Sequence, residues 1–490
     1  MLPRLLAVAA AAWTIAAPAE AAWRRAETER FVIYGEGSEA KVREYAEKLT
    51  TFDATLRAFY PAANRPSYTK TQVVMVGERS DLRRIRPDLP REVAGFYAAS
   101  NEGIFAIALA DGSLGADDTL FHEYAHHFLL ENFPVAYPAW FVEGFAEYFM
   151  TAEIDREGVK VGGYNPARAV SIFTDTWMPW DEVFRKRTFE IPRRQRFAFY
   201  AQAWLLTHYM HNGDRNEKLD KAIRDTAGGM EPAKAFWTAT GLDQQTLTRE
   251  LRAYRKLNRL LVPRSKLPTP KVTVTRMPDS ADDLFFDHVR LLLSETGKTD
   301  PAFLAQVRAR AARHPDDVFA QSTLARAEFV MGDVAAGEAL VRRLRAAHPD
   351  DYEVMLLEPT GQWLAGLREP AMREARWRAA RPLFAKVHAV NKTDFRPLYG
   401  YAVTRTLEPT FPTDNDIGVL LEARALAPPV QESSFRAGVA LLKKGRREEA
   451  EKVLGPVINN PHGGAQAVRA RALLEGRTED EVAKEEETAS

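Results

Sequence analysis

The chain contains no cysteine. That excludes disulfides and thiolate ligands, so a tightly held metal must be bound by His, Asp or Glu. It also lacks a charge excess, because 67 Lys plus Arg stand against 67 Asp plus Glu. Nucleic-acid binders usually carry a basic surplus, and none is present. Beyond the first residues no stretch is apolar and long enough to read as a membrane span. What is there is ordinary globular composition, 46% hydrophobic and 27% charged over 490 residues. That length suggests two or three domains and allows a sizeable core.

The first residues, MLPRLLAVAAAAWTIAAPAEAAW, have the pattern of an export leader. Arg4 is a short positive region, Leu5 to Ala17 an apolar run, and Ala19-Glu20-Ala21 a small-x-small cleavage pattern. Residues 1–21 are therefore expected to be a signal peptide, and the protein to be secreted or periplasmic. The absence of cysteine excludes lipid attachment there. No stable membrane span is expected after cleavage.

The rest predicts an α+β domain followed by an all-α region of helical repeats. Residues 22–260 read as short strands at 31–34 and 72–76, a strand pair over 94–109, and helices over 39–59, 117–132, 139–151 and 196–212. Residues 261–280 hold several prolines and few large apolar groups, which predicts a linker. Residues 281–477 read as helical. His314-Pro315-Asp316-Asp317 recurs as His348-Pro349-Asp350-Asp351, a period of 34 residues, which is the tetratricopeptide period. A wider gap near 360–390 suggests an insertion or a degenerate repeat. The acidic tail, 478–490, is expected to be disordered.

Residues 122–126 read His-Glu-Tyr-Ala-His. Histidines four apart lie on one face of a helix, where both imidazoles can bind one zinc ion. Glu123 sits one step around and can take a proton from a water that zinc has acidified. Phe121, Tyr124, Ala125, Phe128 and Leu129 make this a largely buried helix, and buried His and Glu need partners. A catalytic zinc takes a third protein ligand and keeps an open position. The helix Trp140-Phe141-Val142-Glu143-Gly144-Phe145-Ala146-Glu147-Tyr148 places two carboxylates four apart among large apolar residues. Without a cation that arrangement is costly. The simplest division gives Glu143 to the metal and Glu147 to a histidine N–H. Gly144 is expected to let the two helices approach, His127 to pack or to support the ligands, and Glu131 to face solvent.

With these motifs the chain resembles the gluzincin metallopeptidases. There a zinc-binding histidine pair is followed by a ligand glutamate on a second helix. Phe141 to Tyr148 (FVEGFAEY) is similar to the ligand-glutamate segment of the aminopeptidase N family, with Glu143 at the ligand position. Glu147 matches the carboxylate that orients a histidine in thermolysin-like members. That family's Gly-Ala-Met-Glu-Asn type segment is absent before the helix. The resemblance implies a zincin-like fold, bound Zn2+, peptide-bond hydrolysis and a peptide or protein substrate. It implies a tyrosine that stabilises the tetrahedral intermediate, and Tyr200, 57 residues after Glu143, stands at a similar distance. A core aromatic is the equal alternative, and His208 is the runner-up for the role. It also implies an edge strand that pairs with substrate backbone, here Gly103 to Leu109.

The expected function is thus a secreted zinc-dependent peptidase with Glu123 as general base, the repeats presenting protein substrates or binding a partner. The alternative is an exported helical-repeat scaffold whose metallopeptidase-like domain is catalytically silent.

Overall fold

The computed structural model describes residues 22–481 except 92, 111–115, 256–257, 461–462 and 479–480. The expected signal peptide, and all of the acidic tail save Thr478 and Glu481, lie outside the described residues. Among the described residues no helix is long and apolar enough to cross a membrane.

A six-stranded sheet is built from β1 (Trp23–Glu27), β2 (Phe31–Glu36), β3 (Thr71–Val76), β4 (Gly95–Ser100), β5 (Gly103–Leu109) and β9 (Thr273–Arg276). Its order is β4-β5-β3-β2-β1-β9, with β2, β3 and β5 parallel and the others antiparallel to their neighbours. A second, three-stranded sheet joins β6 (Glu153–Ile154), β7 (Gly158–Val161) and β8 (Leu260–Pro263).

The central strands β3 and β5 are almost continuously apolar because both faces of the sheet are covered. On one face Val73, Met75, Ala106 and Ala108 meet helices α1 (Glu39–Phe59) and α3 (Ala116–Asn132). On the other, Val74, Val76, Phe105, Ile107 and Leu109 meet α2 (Arg79–Ile85) and α11 (Ser280–Leu292). The alternation follows the two-residue period of a strand. Behind α3 lies a helical layer: α4 (Ala139–Phe149), α5 (Pro166–Thr174), α6 (Trp180–Arg185), α7 (Arg196–Met210), α8 (Arg215–Ala227), α9 (Pro232–Thr240) and α10 (Gln244–Ala253).

Residues 261–280, expected as a linker, do more than connect. They end β8 and form β9, which closes the far edge of the large sheet, and α11 then packs directly onto that sheet. Proline and sparse large side chains gave a linker-like composition. An edge strand tolerates both, since it needs ladder bonds on one side only.

The remaining helices are α12 (Pro301–Ala311), α13 (Val318–Met331), α14 (Val334–Ala347), α15 (Tyr352–Arg368), α16 (Arg373–Val390), α17 (Phe395–Arg405), α18 (Asp414–Leu426), α19 (Gln431–Lys443), α20 (Arg447–Ile458) and α21 (Gly464–Leu474). Each packs on the next, and α11 on α13, α13 on α15, α15 on α17 and α19 on α21. The repeated His-Pro-Asp-Asp is the turn before α13 and α15. Its last residue, Asp317 or Asp351, caps the helix by accepting from the backbone N–H of Ala320 or Val354. The widened period comes from length: α15 and α16 have 17 and 18 residues, against 14 each in α13 and α14.

Candidate metal centre and its cleft

Helix α3 carries His122 and His126 on one face, and α4 turns Glu143 toward them. His122 Nε2 and His126 Nε2 are 3.0 Å apart. Glu143 Oε2 lies 3.4 Å from the first and 3.3 Å from the second. These three residues are the one group of metal-ligand type found among the described residues. Tetrahedral zinc with bonds of 2.0–2.1 Å places its ligand atoms about 3.3–3.4 Å apart. The two edges to Glu143 match that spacing and the edge between the imidazole nitrogens, at 3.0 Å, is shorter; the donors, two imidazole nitrogens and a carboxylate, are of the type zinc accepts.

The electrostatics fit a cation as well. Glu143 is wholly buried, and Thr188 Oγ1 donates to its other oxygen at 3.2 Å. Burial pulls the His122 pKa down. The hydrogen bond to Glu143 and the charges of Glu147, Glu143 and Glu123 outweigh it and raise the group to about 9. The surrounding carboxylates thus favour positive charge at the cluster.

Glu147, equally buried, approaches His122 Nδ1 at 3.8 Å, outside hydrogen-bond range. Its direct partner is Arg168 on α5, which donates to both carboxylate oxygens at 2.9 and 2.8 Å. The guanidinium also lies 4.8 Å from the Tyr200 ring and 5.5 Å from that of Phe197. Tyr200 is half-buried on α7. Burial, then the charges of Glu143 and Glu147, push its phenol well above the usual value. His208, near the C-terminal end of α7, is fully buried and hydrogen-bonded through Nδ1 to Tyr254 Oη at 2.9 Å. Burial lowers its pKa.

Glu123 is half-exposed and lines, with His126, a cleft of about 800 Å³. Among the described residues it has no hydrogen-bond or ion-pair partner. The cleft runs along β4, whose Gly95, Phe96, Tyr97, Ala99 and Ser100 line it.

Besides Glu147, which is held by Arg168 and not by a histidine N–H, three expectations change in detail. Gly103–Leu109 is not the edge strand: β5 is paired on both sides, and the edge facing the cleft is β4. Gly144 does not face α3; a Cβ there would lie 2.5 Å from the Ala203 carbonyl oxygen on α7, and closer still to Thr207 Oγ1. Glu131 does not face solvent. It pairs with His127 Nε2 at 3.3 Å and accepts from Ser67 Oγ. Burial pushes its pKa up, but His127, Ser67 and Arg57 outweigh burial and bring it down to about 2. His127 Nδ1 meets Tyr97 Oη at 2.9 Å and so ties α3 to the edge strand. Arg168 and Thr188 carried no sequence signal, as neither sits in a motif and each reaches the ligands only through the fold.

Compared with known proteins, the chain matches no described family and no curated relative. Among solved structures it is similar to a thermophilic TPR protein of Thermus thermophilus, 18% identical over 36% of this chain and 90% of that one, with a TM-score of 0.31.

Proposed function

We propose that the protein is an exported zinc-dependent peptidase of gluzincin type, with His122, His126 and Glu143 as metal ligands. The observation that carries this reading is the triangle of two imidazole nitrogens and one carboxylate oxygen with edges of 3.0–3.4 Å, beside a cleft that Glu123 lines. Zinc, when bound, supplies Lewis acidity to water and to a carbonyl oxygen. The chain's own groups do the rest. Glu123 takes the proton of the attacking water and passes it to the departing amine. Tyr200 is the proposed donor to the oxyanion: it stands on α7 against Arg168, close enough to Glu143 and Glu147 to feel their charges, but it is not among the residues that line the cleft. Arg168 fixes Glu147 and thereby the wall behind His122.

The edge strand supports a polypeptide substrate. Leu109 N–H donates to the Ala94 carbonyl at 3.0 Å, and antiparallel pairs alternate from there. Phe96, Ala98 and Ser100 therefore bond to β5, while the backbone groups of Gly95, Tyr97 and Ala99 point to the open side. An extended chain laid there gains a ladder of main-chain hydrogen bonds.

Metal analysis of the mature protein is expected to give one zinc per chain. Glu123→Gln is expected to retain it and to lower kcat by about 10²–10⁴-fold, the usual contribution of a general base. Zinc retention with undiminished turnover would remove Glu123 from its role. A metal-free protein that no zinc concentration loads would remove the peptidase reading and leave the silent scaffold.

A further inference from the structure

The cleft has a second wall, and it comes from the other end of the chain. Opposite β4 stand Tyr399 on α17, Gln431 and Glu432 on α19, Pro456 and Asn459 at the end of α20, and Gln466 on α21. This wall is fastened to the sheet-bearing part at several points. Thr69 Oγ1 donates to the Leu426 carbonyl at 3.0 Å. Arg326 on α13 forms a buried 2.8 Å pair with Glu102, in the turn between β4 and β5. Arg187 donates to the Ile458 carbonyl at 3.4 Å, and its neighbour Thr188 is the residue that donates to Glu143. A Cβ on Gly455 would touch Ala136, in the connection between α3 and α4.

The chemistry of the wall is specific. Glu432 is neutralised by Arg436 at 2.8 Å and also accepts from Gln466 Nε2. No lysine or arginine lines the cleft among the described residues. The amide nitrogens of Gln431 and Asn459 are engaged, with the carbonyls of Pro456 (3.4 Å) and Gly455 (3.0 Å). Each keeps a side-chain carbonyl oxygen that can accept from an N–H donor and one further amide N–H, and with no lysine or arginine in the lining nothing there balances the charge of a carboxylate.

We propose that α19–α21 form the specificity wall of the substrate site and select an internal, extended, uncharged stretch of polypeptide. In this arrangement β4 takes one edge of the chain, and the carbonyl oxygens of Gln431 and Asn459 accept hydrogen bonds from the other. The inference rests on the peptidase reading. It gives the repeats a role at the cleft itself, so that short peptides feel them as much as whole proteins do.

The test uses the full-length, zinc-loaded Glu123→Gln protein and fluorescence anisotropy. The probes are a fluorescein-labelled, amidated peptide of about eight residues of Ala, Leu and Gln, long enough to span the strand, and the same peptide with two glutamates. The parent is expected to favour the uncharged peptide roughly tenfold or more. Asn459→Lys adds a cation at a helix C-terminus, where the dipole favours it, and is expected to shift the ratio toward the acidic peptide at least tenfold. Gln431→Ala, a second variant should the first not fold, is expected to weaken the uncharged peptide about fivefold, the worth of one hydrogen bond. Binding by the parent with ratios and affinities unmoved in folded variants overturns the wall and leaves the peptidase reading standing. Failure of the parent to bind either peptide overturns both.

Discussion

Removing Arg168 tests the charge structure behind the candidate ligands. Glu147 is fully buried and holds the Arg168 guanidinium through two bonds of 2.8 and 2.9 Å. An exposed ion pair is worth about 0–1 kcal/mol. Here Arg168→Met would strand a carboxylate in an apolar layer, and breaking a buried pair from one side costs about 3–5 kcal/mol. The Arg168 side chain is itself 19% exposed, so water reaches part of the pair and the lower end, about 3 kcal/mol, is expected. The assay is urea unfolding of metal-free protein followed by tryptophan fluorescence. The double variant Arg168→Met/Glu147→Gln should recover most of the loss, because the stranded charge is then absent. A cost below about 1 kcal/mol for the single variant, the range of an exposed pair, or a double variant no better than the single, would refute this account of Glu147.

Two further outcomes follow from the geometry. Gly144→Ala forces α4 away from α7, against a backbone carbonyl at 2.5 Å. It should cost up to about 3 kcal/mol as overpacking and, by moving Glu143, weaken zinc binding at least tenfold in a competition titration with a chromophoric chelator. An unchanged affinity would show that Glu143 is not held by that contact. Glu131 is one contributor to the acid limb. Its pKa falls from 4.5 to about 2 on folding, so its contribution is full above pH 4.5 and is lost as pH drops toward 2. Glu131→Gln should flatten the decline of stability across that window by a few kcal/mol at most, read from urea midpoints at stepped pH. A parallel decline in both proteins would contradict it.

Truncation would confound binding with folding. Helix α11 covers one face of the large sheet, and α19–α21 line the cleft, so deleting residues 281–490 would uncover Phe105, Ile107 and Leu109 as well as removing repeats. Point substitutions on the wall separate substrate binding from folding, and deletion does not.

Much was legible in the sequence because it is local. Helical periodicity gave α1, α3, α4 and α7 nearly to the residue, since a face repeating every 3.6 residues is written in the chain itself. The spacing of His122 and His126 put two imidazoles on one face, and the apolar setting of Glu143 and Glu147 marked both as buried carboxylates. The repeated His-Pro-Asp-Asp announced helix caps 34 residues apart. The tertiary structure decided what lies between distant segments. It chose β4 over β5 as the edge, drew residues 273–276 into the sheet, gave Glu147 to Arg168, and set Thr188 on Glu143. It also brought Gln431 and Asn459 across from β4, more than 300 positions away in the chain. The reason is physical. A helix or strand pattern reports which face of one element is buried, whereas the partner of that face is chosen by packing and charge among all the elements at once, and no local spacing encodes it.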